Sequence, residues 1–440
     1  MMDRRTFLKT TSGLSAGAML STEVLRAASS QVHHIVVVMM ENRSFDHFLG
    51  WLPNAVGKQA GLNYVDNNGV SHPTHALAPD WTGCKYNDPD HSYSGARIEY
   101  DNGKMDGFMK TSSADIYAIG YYRESDMKFF PTFARNFATC DMYFSSMLGP
   151  TFPNRIFQLC GQTDRLDDSI SICTFPTIFD HCSRAGVTSK YYYGNAPFLT
   201  LFPIDLAVYA NSFSTFLSDC AQGTLPAVSF VDPSFTLLLN TANDNHPHSD
   251  IRNGDAFMAQ VYNAVATGPA WNNTVLVINH DEWGGFFERV PPPRALAPNN
   301  TDPDLINGKA LLGCRVPCIV ASPWTVGTPA DPSVHHVVFD HTSVLKMIES
   351  VFSVKPLADR ETSNDVGNLL SVIDFAHTPK PGPVLPMPPA VTPQAICLSS
   401  INPGGGLTST YGDGASQLEP NSFQKLEQAA RERGWQVYEN

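Results

Sequence analysis

Four short apolar runs constrain this chain more than any other feature. Residues 35–40 (IVVVMM), 227–231 (AVSFV), 274–278 (TVLVI) and 318–321 (CIVA) are apolar at nearly every position. A strand with one wet face alternates, whereas an unbroken apolar run needs cover on both faces, as in parallel sheets flanked by helices. Three of the runs break off at acidic residues, namely Glu41-Asn42, Asp232-Pro233 and Asn279-His280-Asp281-Glu282. Open α/β sheets bind their ligands beyond the carboxyl ends of the strands. Asp, Asn and Pro also begin ordinary turns, but acidic pairs at two strand ends far apart in sequence are harder to assign to turns alone. The expected fold is therefore α/β, with a doubly wound, mostly parallel central sheet and helices on both faces. Helices are predicted over 44–52, 153–160, 177–185, 254–266, 342–351 and 422–433.

Apolar residues make up 42% of the 440 positions and charged residues 16%, enough for a large core and too little charge for a disordered chain. Lys and Arg number 29 against 42 Asp and Glu, a formal charge of −13, and no basic run occurs. Such a surface repels phosphate backbones, so no nucleic-acid partner is expected. No obligate protein partner is evident. Arg4-Arg5-Thr6-Phe7-Leu8-Lys9 precedes a Gly/Ala/Ser-rich stretch, with Ala27 and Ala28 near a plausible cut. The pattern resembles a twin-arginine export signal over 1–28 and predicts an exported, periplasmic or secreted protein. The catalytic domain is expected over 29–377, with a polar insertion or cap at 55–104. A Pro-rich tether and a helix packing back on the body are expected over 378–440. The nine cysteines are odd in number, and their spacing gives neither a pairing nor a zinc knuckle.

Three segments carry chemistry. Glu41-Asn42 places hard oxygen ligands at a strand end just before a helix start, which suits a divalent cation. The alternative is a helix cap formed by Asn42 or Ser44. Asp281-Glu282 puts two carboxylates side by side ahead of Gly284-Gly285, and such a pair repels unless a cation or a proton relieves it. In Gly149-Pro150-Thr151-Phe152-Pro153-Asn154-Arg155, Thr151 sits where an N-cap would. There a hydroxyl meets the positive end of the helix dipole and its free N–H groups. Asn154 and Arg155 are candidate donors to phosphate oxygens. His91, His246 and His341 lie in turn-like contexts and could give a proton to a leaving group near neutral pH. A structural hydrogen-bonded role is the alternative for each. The chain has no GxxxxGK[ST] and no GxSxG, which disfavours P-loop nucleotide chemistry and a serine-elbow esterase.

Together Glu41-Asn42-Arg43-Ser44-Phe45-Asp46-His47, the segment 149–155, His280-Asp281-Glu282-Trp283-Gly284-Gly285-Phe286-Phe287 and Asp340-His341-Thr342-Ser343 resemble the bacterial phospholipase C / acid phosphatase family of phosphoesterases, in the alkaline phosphatase superfamily. The resemblance runs over residues 34–351. It implies one divalent metal held by Glu41, Asn42, Thr151, Asp281 and Glu282. Thr151 would be both ligand and nucleophile, and His91, His246 and His341 active-site histidines. Oxygen ligands favour Ca, Mg or Mn, and the neighbouring histidines keep Zn open. Thr rather than Ser at 151 tilts the resemblance toward phospholipases C. That implies cleavage of phospholipids to diacylglycerol and a phosphorylated head group through a phospho-threonine, with transient contact at a membrane surface. The alternatives are a broad-specificity acid phosphatase or phosphodiesterase of the same family, and a secreted binding protein that keeps the fold without the chemistry.

Overall fold

The computed structural model describes residues 20–235, 242–325, 327–391 and 422–438. The central sheet has eight strands: β1 His34–Met40, β2 Ala138–Cys140, β3 Ser189–Tyr193, β4 Ala210–Ser212, β5 Val228–Asp232, β6 Thr274–His280, β7 Cys318–Ala321 and β8 Val334–His335. They lie in the order β8-β2-β7-β6-β1-β5-β3-β4. β1 pairs in parallel with both β5 and β6, and β3 in parallel with β4 and β5. β7 alone runs antiparallel, against β6 and β2.

The principal helices are α1 Thr22–Gln31, α2 Phe45–Leu49, α3 Tyr93–Tyr100, α4 Thr151–Cys160, α5 Ile178–Arg184, α6 Phe213–Gln222, α7 Ile251–Thr267, α8 Thr342–Phe352 and α9 Ser422–Glu432. Strand alternation divides the apolar runs between two cores. Ile35 and Val37 enter one core with Phe152, Ile156, Val344 and Ile348, while Val36, Val38 and Met40 enter the other with Phe216, Phe257 and Phe130. Helices therefore cover both faces, as a run without polar alternation requires. Burying one such Val or Ile contributes roughly 1.5–3 kcal/mol.

Two local expectations need correction. The run 318–321 is a strand, but its antiparallel direction puts Ser322-Pro323 at the far edge of the sheet from Glu41 and Asp281. Its amino end, preceded by Arg315, faces their edge instead. Thr151 is the first residue inside α4, and Pro150 holds the extended N-cap position. Pro153 is accommodated because the first turn of a helix has no intrahelical use for its N–H groups.

Residues 55–104 hold a two-stranded ladder, Asn63–Val65 with Ser71–Pro73, and α3. Tyr64 and Ala96 join Phe108, Trp283 and Phe287 in a separate small core. The segment thus sits over the loop that follows β6. Residues 378–391 run extended along α7, with Tyr262 and Trp271 donating to the carbonyls of Pro383 and Lys380. α9 buries Phe423 against Phe152 and Phe235, behind α4. The Arg4-Arg5 leader lies outside the described residues, and the expected cut at Ala27-Ala28 falls within α1, where Ala28 is buried. Cys84 is disulfide-bonded. Cys397 lies outside the described residues, and the other seven cysteines are buried free thiols. Among the described residues no helix is long and apolar enough to cross a membrane.

Candidate active site

The pairing register of two parallel strands builds the site. Met40 of β1 lies opposite His280 of β6, so the next residues, Glu41 and Asp281, leave the sheet side by side. The Asp281 amide donates to the Met40 carbonyl at 3.0 Å, and the Asn42 amide donates to Asp281 Oδ1 at 3.0 Å. Asn42 adopts φ +38°, a left-handed conformation that Asn tolerates better than most residues. Gly284 approaches closely enough that a Cβ there would lie 2.5 Å from the Asn42 carbonyl oxygen, so the glycine is required.

α4 completes the cluster from the other side. Thr151 Oγ lies 3.4 Å from Glu41 Oε2 and 3.4 Å from Asn42 Oδ1. One turn on, Arg155 donates to Glu41 Oε1 at 2.7 Å, to Asp232 Oδ1 at 2.9 Å and to the Met39 carbonyl at 3.0 Å. Burial pushes the carboxyls of Glu41, Asp281 and Glu282 above their ordinary values, with Arg155 pulling back on Glu41 and Asp281 and the neighbouring Asp281 pushing Glu282 further up.

Several predicted roles change. Arg155 is buried and its guanidinium is committed to Glu41, Asp232 and a carbonyl, so it organises carboxylates rather than receiving phosphate. Asn154 is buried as well. Its amide donates to the carbonyls of Met147, Gly149 and Pro150 and its oxygen accepts from the Met147 amide, which clamps the turn before Thr151. The helix N-terminus is less open than expected, because the Phe152 amide already donates to Asp168 Oδ1 at 2.8 Å and Pro153 has no N–H. His341 is fully buried, with Nε2 2.7 Å from the Asp281 carbonyl and Nδ1 3.1 Å from the Tyr143 hydroxyl. Burial pushes it down to about 4. Both ring nitrogens are engaged, one of them on the Asp281 backbone, rather than turned toward the cleft that His91 lines.

His91 and His246 are half-buried, with ring centroids 5.8 Å apart. His91 Nε2 lies 3.4 Å from Asn42 Nδ2. His91 also lines a cleft of about 670 Å³, with Asp88, Pro150, Leu166, Asp167 and Asp168 among the other walls. Pro150, one of these walls, is the residue before Thr151. Sequence reasoning missed Asp88, Asp168 and Asp232. Asp88 lies three residues before His91, in the sequence Asn87-Asp88-Pro89-Asp90-His91, so proximity to His91 was its available signal. Asp168 and Asp232 offered none beyond a turn and a strand end.

A profile of the Phosphoesterase family matches residues 32–355. The chain belongs to the phosphoesterase family. It is accordingly a hydrolase acting on phosphoric ester bonds. The phosphoesterase is 32% identical over 363 residues to non-specific phospholipase C6 of Arabidopsis thaliana, a match covering 74% of this chain and 69% of that one. It is 29% identical over 488 residues to phospholipase C B of Mycobacterium tuberculosis, covering 90% of this chain and 92% of that one. Among solved structures, a protein in the alkaline phosphatase superfamily from Vibrio parahaemolyticus aligns with TM-score 0.37 and 10% identity over 84% of this chain and 79% of that one. The lipoteichoic acid synthase LtaP from Listeria monocytogenes aligns with TM-score 0.39 and 7% identity over 81% of this chain and 82% of that one. Superpositions that loose carry no argument about chemistry.

The phosphoesterase's oxygen-rich pocket suits a divalent cation. Asp281 Oδ2 and Glu282 Oε1 are buried with no hydrogen-bond partner. Of four buried carboxylates, Glu41, Asp232 and Asp281 pair with a single guanidinium, that of Arg155, and Glu282 pairs with no cation among the described residues. Uncompensated buried charge on that scale calls for a cation or for protons.

Proposed function

We propose that this phosphoesterase is an exported, metal-dependent phospholipase C that splits phospholipids into diacylglycerol and a phosphorylated head group through a phospho-threonine. The observation that carries the reading is the position of Thr151. It stands at the first position of a ten-residue helix, beside two oxygen donors and next to Pro150, a wall of the cleft. Relatives named as phospholipases C in both a plant and a bacterium support the substrate class. The Arg4-Arg5 leader and the disulfide-bonded Cys84 support export into an oxidising compartment.

Glu41, Asn42, Asp281 and Glu282, with Thr151, would hold the cation. When bound it supplies positive charge that makes the threonine hydroxyl more acidic and offsets charge on the phosphate. The α4 dipole favours the same alkoxide. Thr151 Oγ attacks phosphorus, a P–O bond to threonine forms, and the P–O bond to the diacylglycerol oxygen breaks. The threonine proton passes to the departing diacylglycerol oxygen by way of His91, which lines the cleft, or of its neighbour His246. Water then attacks phosphorus, the threonine oxygen leaves and regains a proton, and the phosphorylated head group departs. Arg155 keeps Glu41 and Asp232 in position, Asn154 fixes the turn before the nucleophile, and His341 anchors Asp281.

The test is Thr151→Ala in the full chain, assayed on phosphatidylcholine, p-nitrophenyl phosphorylcholine and p-nitrophenyl phosphate. Activity on phosphatidylcholine should fall by ~10³-fold or more, with the fold intact. Near-wild-type turnover by the variant would overturn the nucleophile assignment. Wild-type activity confined to p-nitrophenyl phosphate would replace the phospholipase reading with the phosphatase one.

A further inference from the structure

Outside the oxygen-rich pocket, a second cluster has the makings of a metal centre. Asp88, His91 and His246 each offer a donor atom, and these three atoms all lie within 4.8 Å of one another. The three come from two loops more than 150 residues apart in the chain, so tertiary structure alone unites them. The hydrogen bonds of the imidazoles point the same way. His91 Nδ1 is 2.8 Å from the Pro89 carbonyl, and His246 Nδ1 bonds to the Pro247 carbonyl. A carbonyl can only accept, so Nδ1 carries the proton in both rings and each Nε2 keeps its lone pair. A backbone carbonyl that accepts from the other ring nitrogen and so fixes the tautomer is a usual partner of a metal-bound histidine. Asn42 Nδ2, a donor, stands 3.4 Å from His91 Nε2, which agrees with that tautomer.

We infer that Asp88, His91 and His246 form a second divalent-cation site, distinct from the pocket of Glu41, Asp281 and Glu282. Two imidazoles and one carboxylate suit a borderline cation of the zinc class, whereas the first pocket offers oxygen alone. Three protein ligands leave coordination positions open toward the cleft that Asp88 and His91 line, the arrangement of a catalytic rather than a structural site. Asn42 lies between the two sites, its Oδ1 beside Thr151 and its Nδ2 beside His91. This inference rests on the proposed function for its role and on side-chain geometry for its existence. It refines that function at one point: the two histidines would meet the charge on the departing oxygen through the cation they hold, and the proton that Thr151 gives up would reach that oxygen through water rather than through an imidazole.

The experiment uses the full chain, stripped by chelation and dialysed against cobalt(II) alone. Bound metal is counted by mass spectrometry and the visible spectrum is recorded. Wild type should hold two equivalents and show the intense visible bands of a four-coordinate, nitrogen-ligated cobalt. Asp88→Asn and His246→Gln should each lose one equivalent and those bands, whereas Asp281→Asn should lose one equivalent and keep them. Melting of the chelated proteins checks folding, and His246→Gln carries the test if Asp88→Asn does not fold. A wild type with one equivalent and no such bands overturns the second site, as do bands that survive in His246→Gln. Two equivalents with the expected losses, alongside an active Thr151→Ala, uphold the second site and fault the nucleophile instead.

Discussion

Two clusters of buried carboxylates sit close together at the same edge of the sheet and solve the problem of charge differently. In one, Asp46 and Glu288 face Arg315 and Arg289, two carboxylates against two guanidiniums. Arg315 lies 3.3 Å from Asp46 and 2.7 Å from Glu288, and Arg289 lies 3.4 Å from Asp46. Further donors, from the amides of Lys58, Arg289 and Val290, reach Asp46 Oδ1 and Glu288 Oε1, while Asp46 Oδ2 has the Arg289 guanidinium beside it and no hydrogen bond. In the other, Glu41, Asp232 and Asp281 share Arg155, Glu282 pairs with no cation among the described residues, and two of the oxygens have no hydrogen-bond partner. The first cluster is balanced in charge and fastens α2 to the loops after β6 and before β7. The second has a deficit of positive charge, and a deficit of that kind at a strand end suits a divalent cation.

The difference can be broken at either cluster. Arg315→Met should strand two buried carboxylates and lower unfolding stability by about 3–5 kcal/mol. Denaturant melts should show that added divalent cation restores none of it, and restoration would erase the distinction between the clusters. Asp281→Asn removes a carboxylate from the side with the deficit. It should lose metal and activity together, while the metal-free variant melts a few degrees above metal-free wild type. A fully active, metal-loaded variant would remove Asp281 from the ligand set.

A smaller effect comes from pH. The pocket carboxyls of Glu41, Asp281 and Glu282 have folded-state values raised above the ordinary ones, 4.5 for Glu and 3.8 for Asp, chiefly by burial. The metal-free folded state therefore keeps protons that the unfolded chain has lost, so stability falls as pH rises above about 4. A usual, depressed carboxylate would give the opposite sign. Melts of the chelated protein should record the fall, and added cation should flatten it by stabilising the ionised form. An equal fall with and without cation would mean that the pocket carboxyls are not the titrating groups. The smallest effect is expected at His341→Gln. As a positioning residue for Asp281 it should cost on the order of tenfold in turnover without altering the shape of the pH–rate profile. A lost limb of that profile would restore His341 as a proton donor.

Much of the sheet was legible because its signal is local. Unbroken apolar runs at 35–40 and 274–278 need no distant information to be read as doubly covered strands, and they form β1 and β6. The run 318–321 looked the same, yet strand direction depends on the connection before it, and β7 came out antiparallel. The acidic strand ends and Thr151 were visible as motifs, and they do meet at one edge of the sheet. The motifs did not disclose which polar atoms would have partners left. Arg155 and His341 read from sequence as groups for substrate, and the fold consumes both. Asp88 read as part of a turn and lies with two imidazoles.

The order of apolar and acidic residues along the chain thus determined by itself that this protein has a covered sheet with carboxylates at its ligand-binding edge. Only the tertiary structure decided which of those groups are spent on each other and which stay open. Hydrogen-bond satisfaction and charge balance belong to neighbours in space, and here the neighbours are set by the register of β1 on β6, the entry of α4 between strand ends, and two loops far apart in sequence.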